Sequence, residues 1–186
     1  GSSLTVIGHE GTSSSGVLVT ATSNAGFIYD ADNLNGFDTL AVGQTSSDIL
    51  AYTIADQYGA TSIATVSITV TGVNDNPTAI ADIATSDEDT VLIVAASGVL
   101  SNDTDIDAGY QLTAIGAASH SSNGASISIS SDGSYTYDPT VSSSLQSLAQ
   151  DTTIIDEFAY TIADQHGATS INTVTITVTG INDAPT

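Results

Sequence analysis

Thr173-Val174-Thr175-Ile176-Thr177-Val178-Thr179 places apolar and hydroxyl side chains at strictly alternate positions. An extended strand sorts such a run into one apolar and one polar face, whereas a helix scatters it around its circumference. Val174, Ile176 and Val178 are therefore expected to face a core and the four Thr to face water. The same run stands near Thr65-Val66-Ser67-Ile68-Thr69-Val70-Thr71, at an offset of 108 residues. The match extends from Tyr52–Thr78 to Tyr160–Thr186, identical at 22 of 27 positions. Upstream, Leu4-Thr5 aligns with Leu112-Thr113, Phe27 with Tyr135, Tyr29-Asp30 with Tyr137-Asp138, and Asp48 with Asp156. A spacing of 108 residues is one sandwich-sized domain.

Period-2 alternation between turn residues predicts seven strands in the second copy, near 79–85, 90–96, 111–118, 125–130, 134–138, 157–163 and 168–180. Ser131-Asp132-Gly133 reads as a hairpin turn, and 142–150 has room for one helical turn. Seven short strands in about a hundred residues imply a two-sheet sandwich. The chain is expected to be all-β, a tandem pair of immunoglobulin-like antiparallel β-sandwiches over 1–78 and 79–186. The first copy holds counterparts of strands three to seven only, since nothing matches 79–111. Gly1-Ser2-Ser3 reads as a cloning scar ahead of an internal fragment.

Charge limits function. The 186 residues carry 21 Asp and Glu and no Lys or Arg, a formal charge of −21. No carboxylate can pair with a basic side chain other than His9, His120 or His166. Binding to phosphate backbones or anionic membrane surfaces is excluded, because both need Lys and Arg. Cys is absent, so disulfides and thiolate zinc sites are excluded too. The longest apolar candidate, Val91–Leu100, is broken by Ser97 and Gly98 and falls short of the ~20 residues of a membrane span. No membrane insertion is expected.

Alternating strand direction assigns the loops to two poles. The linker Asn74-Asp75-Asn76, the loop Asn102–Asp107 and the turn at Asp164 share the upper pole of the second copy. The lower pole takes Glu88, the loop ending at Asp156-Glu157, and the exit Asn182-Asp183. If copies stack end to end, the lower pole of the first, with Asp48, meets the upper pole of the second. Asp103-Thr104-Asp105-Ile106-Asp107 has the alternate-ligand spacing of a calcium loop, without the Gly and Glu of an EF-hand. Calcium accepts six to eight oxygens in flexible geometry, which suits carboxylates without cationic partners. The candidate ligands are Asp48, Asn74, Asp75, Asn76, Glu88, Asp103, Asp105, Asp107, Asp164 and Asp183; a solvated acidic turn is the plainer alternative for each.

Ala81-Asp82, Glu88-Asp89-Thr90, Val99-Leu-Ser-Asn-Asp-Thr-Asp105, Gly133-Ser-Tyr-Thr-Tyr137, Phe158-Ala-Tyr-Thr-Ile-Ala-Asp164 and Asn182-Asp-Ala-Pro-Thr186 together resemble the bacterial cadherin-like repeats, including VCBS-type repeats, of giant RTX adhesins. The glycine-rich RTX nonapeptide itself is absent. The resemblance implies an extracellular array of sandwiches at the cell surface, stiffened by junction calcium and serving adhesion or biofilm formation. Its partners would be neighbouring repeats and cell-surface or polysaccharide ligands. By the same resemblance, Asp75 and Asn76 match the linker motif and Asp103 and Asp105 the paired Asp of the following domain.

An enzyme is not expected, because the sequence has no Gly-x-Ser-x-Gly elbow, no His-x-x-x-His pair and no thiol. His166 stands where the first copy has Tyr58, as at a tolerant exposed turn. Asp138-Pro139 reads as a strand end. Without Lys, Lys-Asn isopeptide crosslinks are impossible. The competing function is a calcium-dependent carbohydrate-binding module, for which Tyr58 and Tyr110 are the candidate platforms.

Overall fold

The computed structural model describes residues 4–9, 11–22, 26–31 and 36–183. The opening Gly1-Ser2-Ser3 and the last three residues of the exit motif, 184–186, lie outside them. The chain divides into two compact units, Gly1–Asn74 and Asp75–Thr186. The division falls just before Asp75 because the linker that follows is bonded into the second unit: Thr78 and Thr104 exchange backbone hydrogen bonds of 2.7 and 3.1 Å.

The first unit contains β1 (Leu4–His9), β2 (Leu18–Ala21), β3 (Phe27–Asp30), β4 (Thr45–Asp56) and β5 (Thr61–Thr71). They form a three-stranded sheet in the order β1-β4-β5 and a two-stranded ribbon β2-β3, all antiparallel. The second unit contains β6 (Asp82–Asp87), β7 (Leu92–Val94), β8 (Thr113–Ala117), β9 (Ser126–Ile129), β10 (Tyr135–Asp138), β11 (Thr153–Ala163) and β12 (Thr169–Thr179). Its sheets run β6-β12-β11-β8 and β7-β10-β9. Short 3-10 turns at Gly98–Leu100, Pro139–Val141 and Leu145–Ser147 complete it.

The alternation that opened the argument does what its period requires. Val174, Ile176 and Val178 are 0% exposed, beside Phe158, Tyr160 and Ile162 from β11 and Tyr137 and Ile127 from the facing sheet. Burying each large side chain contributes about 1.5–3 kcal/mol. The seven expected strands are all present. Two differences matter. β6 pairs with β12 in parallel, Val174 with Asp82 through Thr179 with Asp87, where an antiparallel arrangement was expected. Residues 79–81, expected to open this strand, lie ahead of the ladder because polar side chains take their backbone groups. Ser170 Oγ accepts from the Ala79 amide at 3.2 Å, and Asn172 Nδ2 donates to the Ala79 carbonyl at 2.8 Å. The second difference is that β11 begins at Thr153, so Asp156 lies inside a strand opposite Ile176 and not in a polar loop.

The two units repeat each other in fine detail. β4 and β5 pair Thr45 with Thr71 through Ala55 with Thr61, the register of Thr153 with Thr179 through Ala163 with Thr169. Gly72 and Gly180 sit at equivalent points where a crossing loop leaves no room: an added Cβ would lie 2.1 Å from the Leu40 carbonyl oxygen or 2.3 Å from that of Ala149. Among the described residues no helix is long and apolar enough to cross a membrane.

Candidate metal centre

The end of the second unit where the chain enters is laced together by carboxylates. The Ile80 amide donates to Asp103 Oδ1 at 2.7 Å, and the Tyr160 hydroxyl donates to the Ile80 carbonyl at 2.8 Å and to Asp103 Oδ1 at 3.2 Å. The Asp75 amide donates to Asp107 Oδ2 at 3.0 Å. Within the loop the Asp107 amide donates to Asp105 Oδ1 at 3.0 Å, and Asn102 Nδ2 reaches back to the Ala81 carbonyl at 3.2 Å. One oxygen of each acid is thus used to fix its direction. The other is not: Asp103 Oδ2, Asp105 Oδ2, Asp107 Oδ1 and Asn102 Oδ1 are all buried without a hydrogen-bond donor, as is Asp82 Oδ2.

Buried oxygens without donors cost about 1–3 kcal/mol each, and more when charged. Burial accordingly pushes the Asp103 carboxyl above the ordinary Asp value, despite bonds from the Ile80 amide and Tyr160 that act the other way. Asp82 is also raised, by burial first and then by repulsion from Asp103. Burial and the negative charges of Asp103 and Asp82 push up the Tyr160 hydroxyl. A hard cation would reverse these penalties. The donor set, carboxylate and amide oxygens with no nitrogen or sulfur, suits calcium. Among the described residues no group of three or more His, Cys, Asp or Glu side chains is placed so as to hold a metal ion by itself. Asn102 and backbone carbonyls are the additional oxygens such a loop offers.

The opposite end of the unit holds Glu88, which is 0% exposed. Its Oε1 accepts from the Ile181 amide at 2.8 Å, its amide donates to the Thr179 carbonyl at 3.1 Å, and its carbonyl accepts from Gln146 Nε2. Its Oε2 has no donor. Asp183 lies exposed two residues beyond Ile181.

The remaining sequence candidates fall differently. Asp48, expected as a ligand, is placed as a buried hydrogen-bond hub with donors on both of its oxygens. Its Oδ1 accepts from Ser14 Oγ, the Ser15 amide and the Ile49 amide at 2.7–2.9 Å, and its Oδ2 from Ser13 Oγ and, at 2.8 Å, from the Tyr29 hydroxyl. Asp156 repeats the arrangement with Ser121, Ser122, the Asn123 and Glu157 amides and Tyr137. Burial opposes ionisation at both, but the converging donors outweigh it and hold both carboxyls below the usual Asp range. Asn74 is half-buried at the end of the first unit, while Asp75 and Asn76 are exposed. Asp164 caps its own turn, accepting from the His166 and Ala168 amides at 2.8 and 2.9 Å. Asp138 likewise caps the turn that follows it, accepting from the Thr140 amide at 3.0 Å, as a strand end would.

Sequence reasoning missed Asp82, Asn102 and Tyr160 as members of this centre. Asp82 and Asn102 lay inside motifs already singled out. Tyr160 read as core because it alternates with Thr, and its ring is core; only the hydroxyl reaches the acids.

A profile of the bacterial cadherin-like domain matches residues 74–180, more than half of the chain. The chain therefore belongs to the bacterial cadherin-like domain family, whose fold is of the structural, adhesion type. Among curated proteins none matches it. Among solved structures it is similar to mouse protocadherin-24 domains EC1-3, at 13% identity and a TM-score of 0.47, covering 97% of this chain and 58% of that one. It is similar also to protocadherin gamma B2 domains 1–5, at 13% identity and a TM-score of 0.46, covering 99% of this chain and 34% of that one. The chain thus spans 58% of the first structure and 34% of the second, under two thirds of each.

Proposed function

We propose that this chain is a calcium-binding structural stretch of a large extracellular bacterial adhesin, an extender whose bound calcium stiffens an array of repeats in support of cell adhesion or biofilm formation. The observation that carries the reading is the set of buried, donorless oxygens on Asn102, Asp103, Asp105 and Asp107 in a chain without a single Lys or Arg. Asp103, Asp105 and Asp107 would hold the ion, with Asn102, Asp82 and the linker residues Asp75 and Asn76 at its margin. Glu88 and Asp183 would serve the exit end in the same way. Bound there, calcium supplies positive charge that the sequence omits.

Binding to the folded state stabilises it by mass action. Melting in millimolar calcium is expected several degrees above melting in chelator at equal ionic strength, and superimposed curves would refute the reading. Calorimetric titration locates the site. Asp103→Asn and Asp105→Asn should weaken calcium binding by about tenfold or more, since each removes a buried charge. Asp132→Asn, in an exposed hairpin turn, should leave it unchanged. Equal losses from all three would mean diffuse charge and no built site. The carbohydrate alternative would rest on Tyr58 and Tyr110, which are 85% and 39% exposed; neither packs with a second ring among the described residues to widen such a platform.

A further inference from the structure

Tyr160 belongs to two parts of the second unit at once. Its ring is 0% exposed in the core with Phe158, Ile162, Val174 and Ile176, on a residue that pairs with Asn172 of β12 and Ala117 of β8. Its hydroxyl leaves the core among the acids. It lies 2.8 Å from the Ile80 carbonyl and 3.2 Å from Asp103 Oδ1, and it bonds to Asp82 as well. A phenol has one proton and cannot serve three acceptors in full. The shorter of the two measured bonds pins Ile80, whose own amide donates to Asp103 Oδ1 at 2.7 Å. Ser170 and Asn172 hold the preceding Ala79 from β12, so this stretch of the entering chain is clamped to the sheet.

The consequence falls on Asp103, which is 6% exposed. Both of its donors meet Oδ1, and Oδ2 has none. Both donors are neutral, so they fix the direction of the carboxylate without cancelling its charge. An ammonium or guanidinium in their place would compete with a metal ion for the same oxygens. Asp105 and Asp107 are oriented differently, from within the loop and the linker, by the Asp107 and Asp75 amides. Asp103 is the acid of the loop that is tied to the packed core. A ring locked in the core cannot swing away, which sets the direction of Asp103 before any ion arrives; pre-oriented ligands bind more tightly than ligands that must be ordered on binding.

We infer that Tyr160 is a positioning residue of the candidate calcium centre: through Ile80 and Asp103 Oδ1 it holds Asp103 with Oδ2 directed to the ion. The inference rests on the calcium reading above and adds to it the group outside the loop that sets the affinity.

The test titrates the whole 186-residue chain with calcium chloride by calorimetry. Tyr160→Phe keeps the ring and should weaken binding about tenfold or more. In an Asp103→Asn background, where the group it acts through is already altered, the same change should weaken binding by less than about threefold further. A merely structural Tyr160 would lower the melting temperature in chelator and leave the calcium dissociation constant unchanged. That result overturns the inference and leaves the calcium reading standing, as do equal losses in the two backgrounds; a wild-type chain that binds no calcium overturns both. A second measurement needs no substitution at residue 160. The chain has seven Tyr, and with 3-fluorotyrosine in their place a fluorine resonance should shift as calcium binds and should still shift in Tyr110→Phe, which alters the Tyr that follows the same loop. A spectrum unmoved by calcium, or a shift lost with Tyr110→Phe, would overturn the inference.

Discussion

Asp156 and Asp48 are the most heavily bonded carboxylates described in their units, and they are buried with no cation beside them. What compensates each is a ring of neutral donors: two Ser hydroxyls, two backbone amides and a Tyr hydroxyl, joined at Asp156 by the Asn123 side-chain amide. The exchange is visible on both sides, since burial and the bond to Asp48 push the Tyr29 hydroxyl up to about 12. A carboxyl that ionises lower in the folded than in the unfolded chain stabilises the fold fully above the ordinary Asp value of about 3.9. That contribution is lost as pH falls below it toward the folded value. Asp156→Asn replaces one acceptor by a donor among donors, and should cost about 2–4 kcal/mol at pH 7. Denaturant unfolding at pH 7 and pH 3 checks this: the gap between wild type and variant should narrow at pH 3. A gap that stays constant would mean that the hub is not ionised.

Elements in this chain are held as much by crossing loops as by ladders. The loop before β11 passes over Gly180, with the Asp151 amide donating to the Gly180 carbonyl at 3.0 Å, and Asp151 takes φ 61°. The equivalent residue in the first unit is Gly43, at φ 75°. A left-handed backbone costs an L-residue with a Cβ about 1 kcal/mol, less for Asp, whose side chain bonds locally. Asp151→Gly should therefore be at least as stable as wild type and Asp151→Ala about 1 kcal/mol less stable, as read by thermal unfolding. The reverse order would mean that the Asp side chain, and not the backbone, secures the crossing. Such positions were invisible in the sequence, whereas the strands were legible because alternation survives any register. The loop Asn102–Asp107 was legible because its acids are adjacent in sequence. The direction of β6 was not, since parallel and antiparallel edge strands show the same period. The hub around Asp48 was not legible because its donors, Ser13 and Ser14, lie 35 and 34 residues away. A signal existed: Ser-Ser precedes Asp at the same distance in both copies.

At the scale of the whole chain, one sequence pattern produces two units of unequal burial. Leu50 and Phe158 occupy equivalent core positions and are both buried, yet the apolar stripe beside Leu50 stays partly wet. Each of Val66, Ile68 and Val70 forgoes a share of the ~1.5–3 kcal/mol that full burial provides. Denaturant unfolding followed by NMR should show the Leu50 signals disappearing at lower denaturant than those of Phe158. Coincident loss would mean that the two units unfold as one. The parallel pairing of β6 with β12 has a mechanical corollary. These are the first and last strands of the second unit, side by side and pointing the same way, so the chain enters at one end and leaves at the other. Tension drawn along the chain slides one strand past the other and loads the register from Val174–Asp82 to Thr179–Asp87 in shear, all rungs at once, where an antiparallel pair pulled from one end would unzip rung by rung.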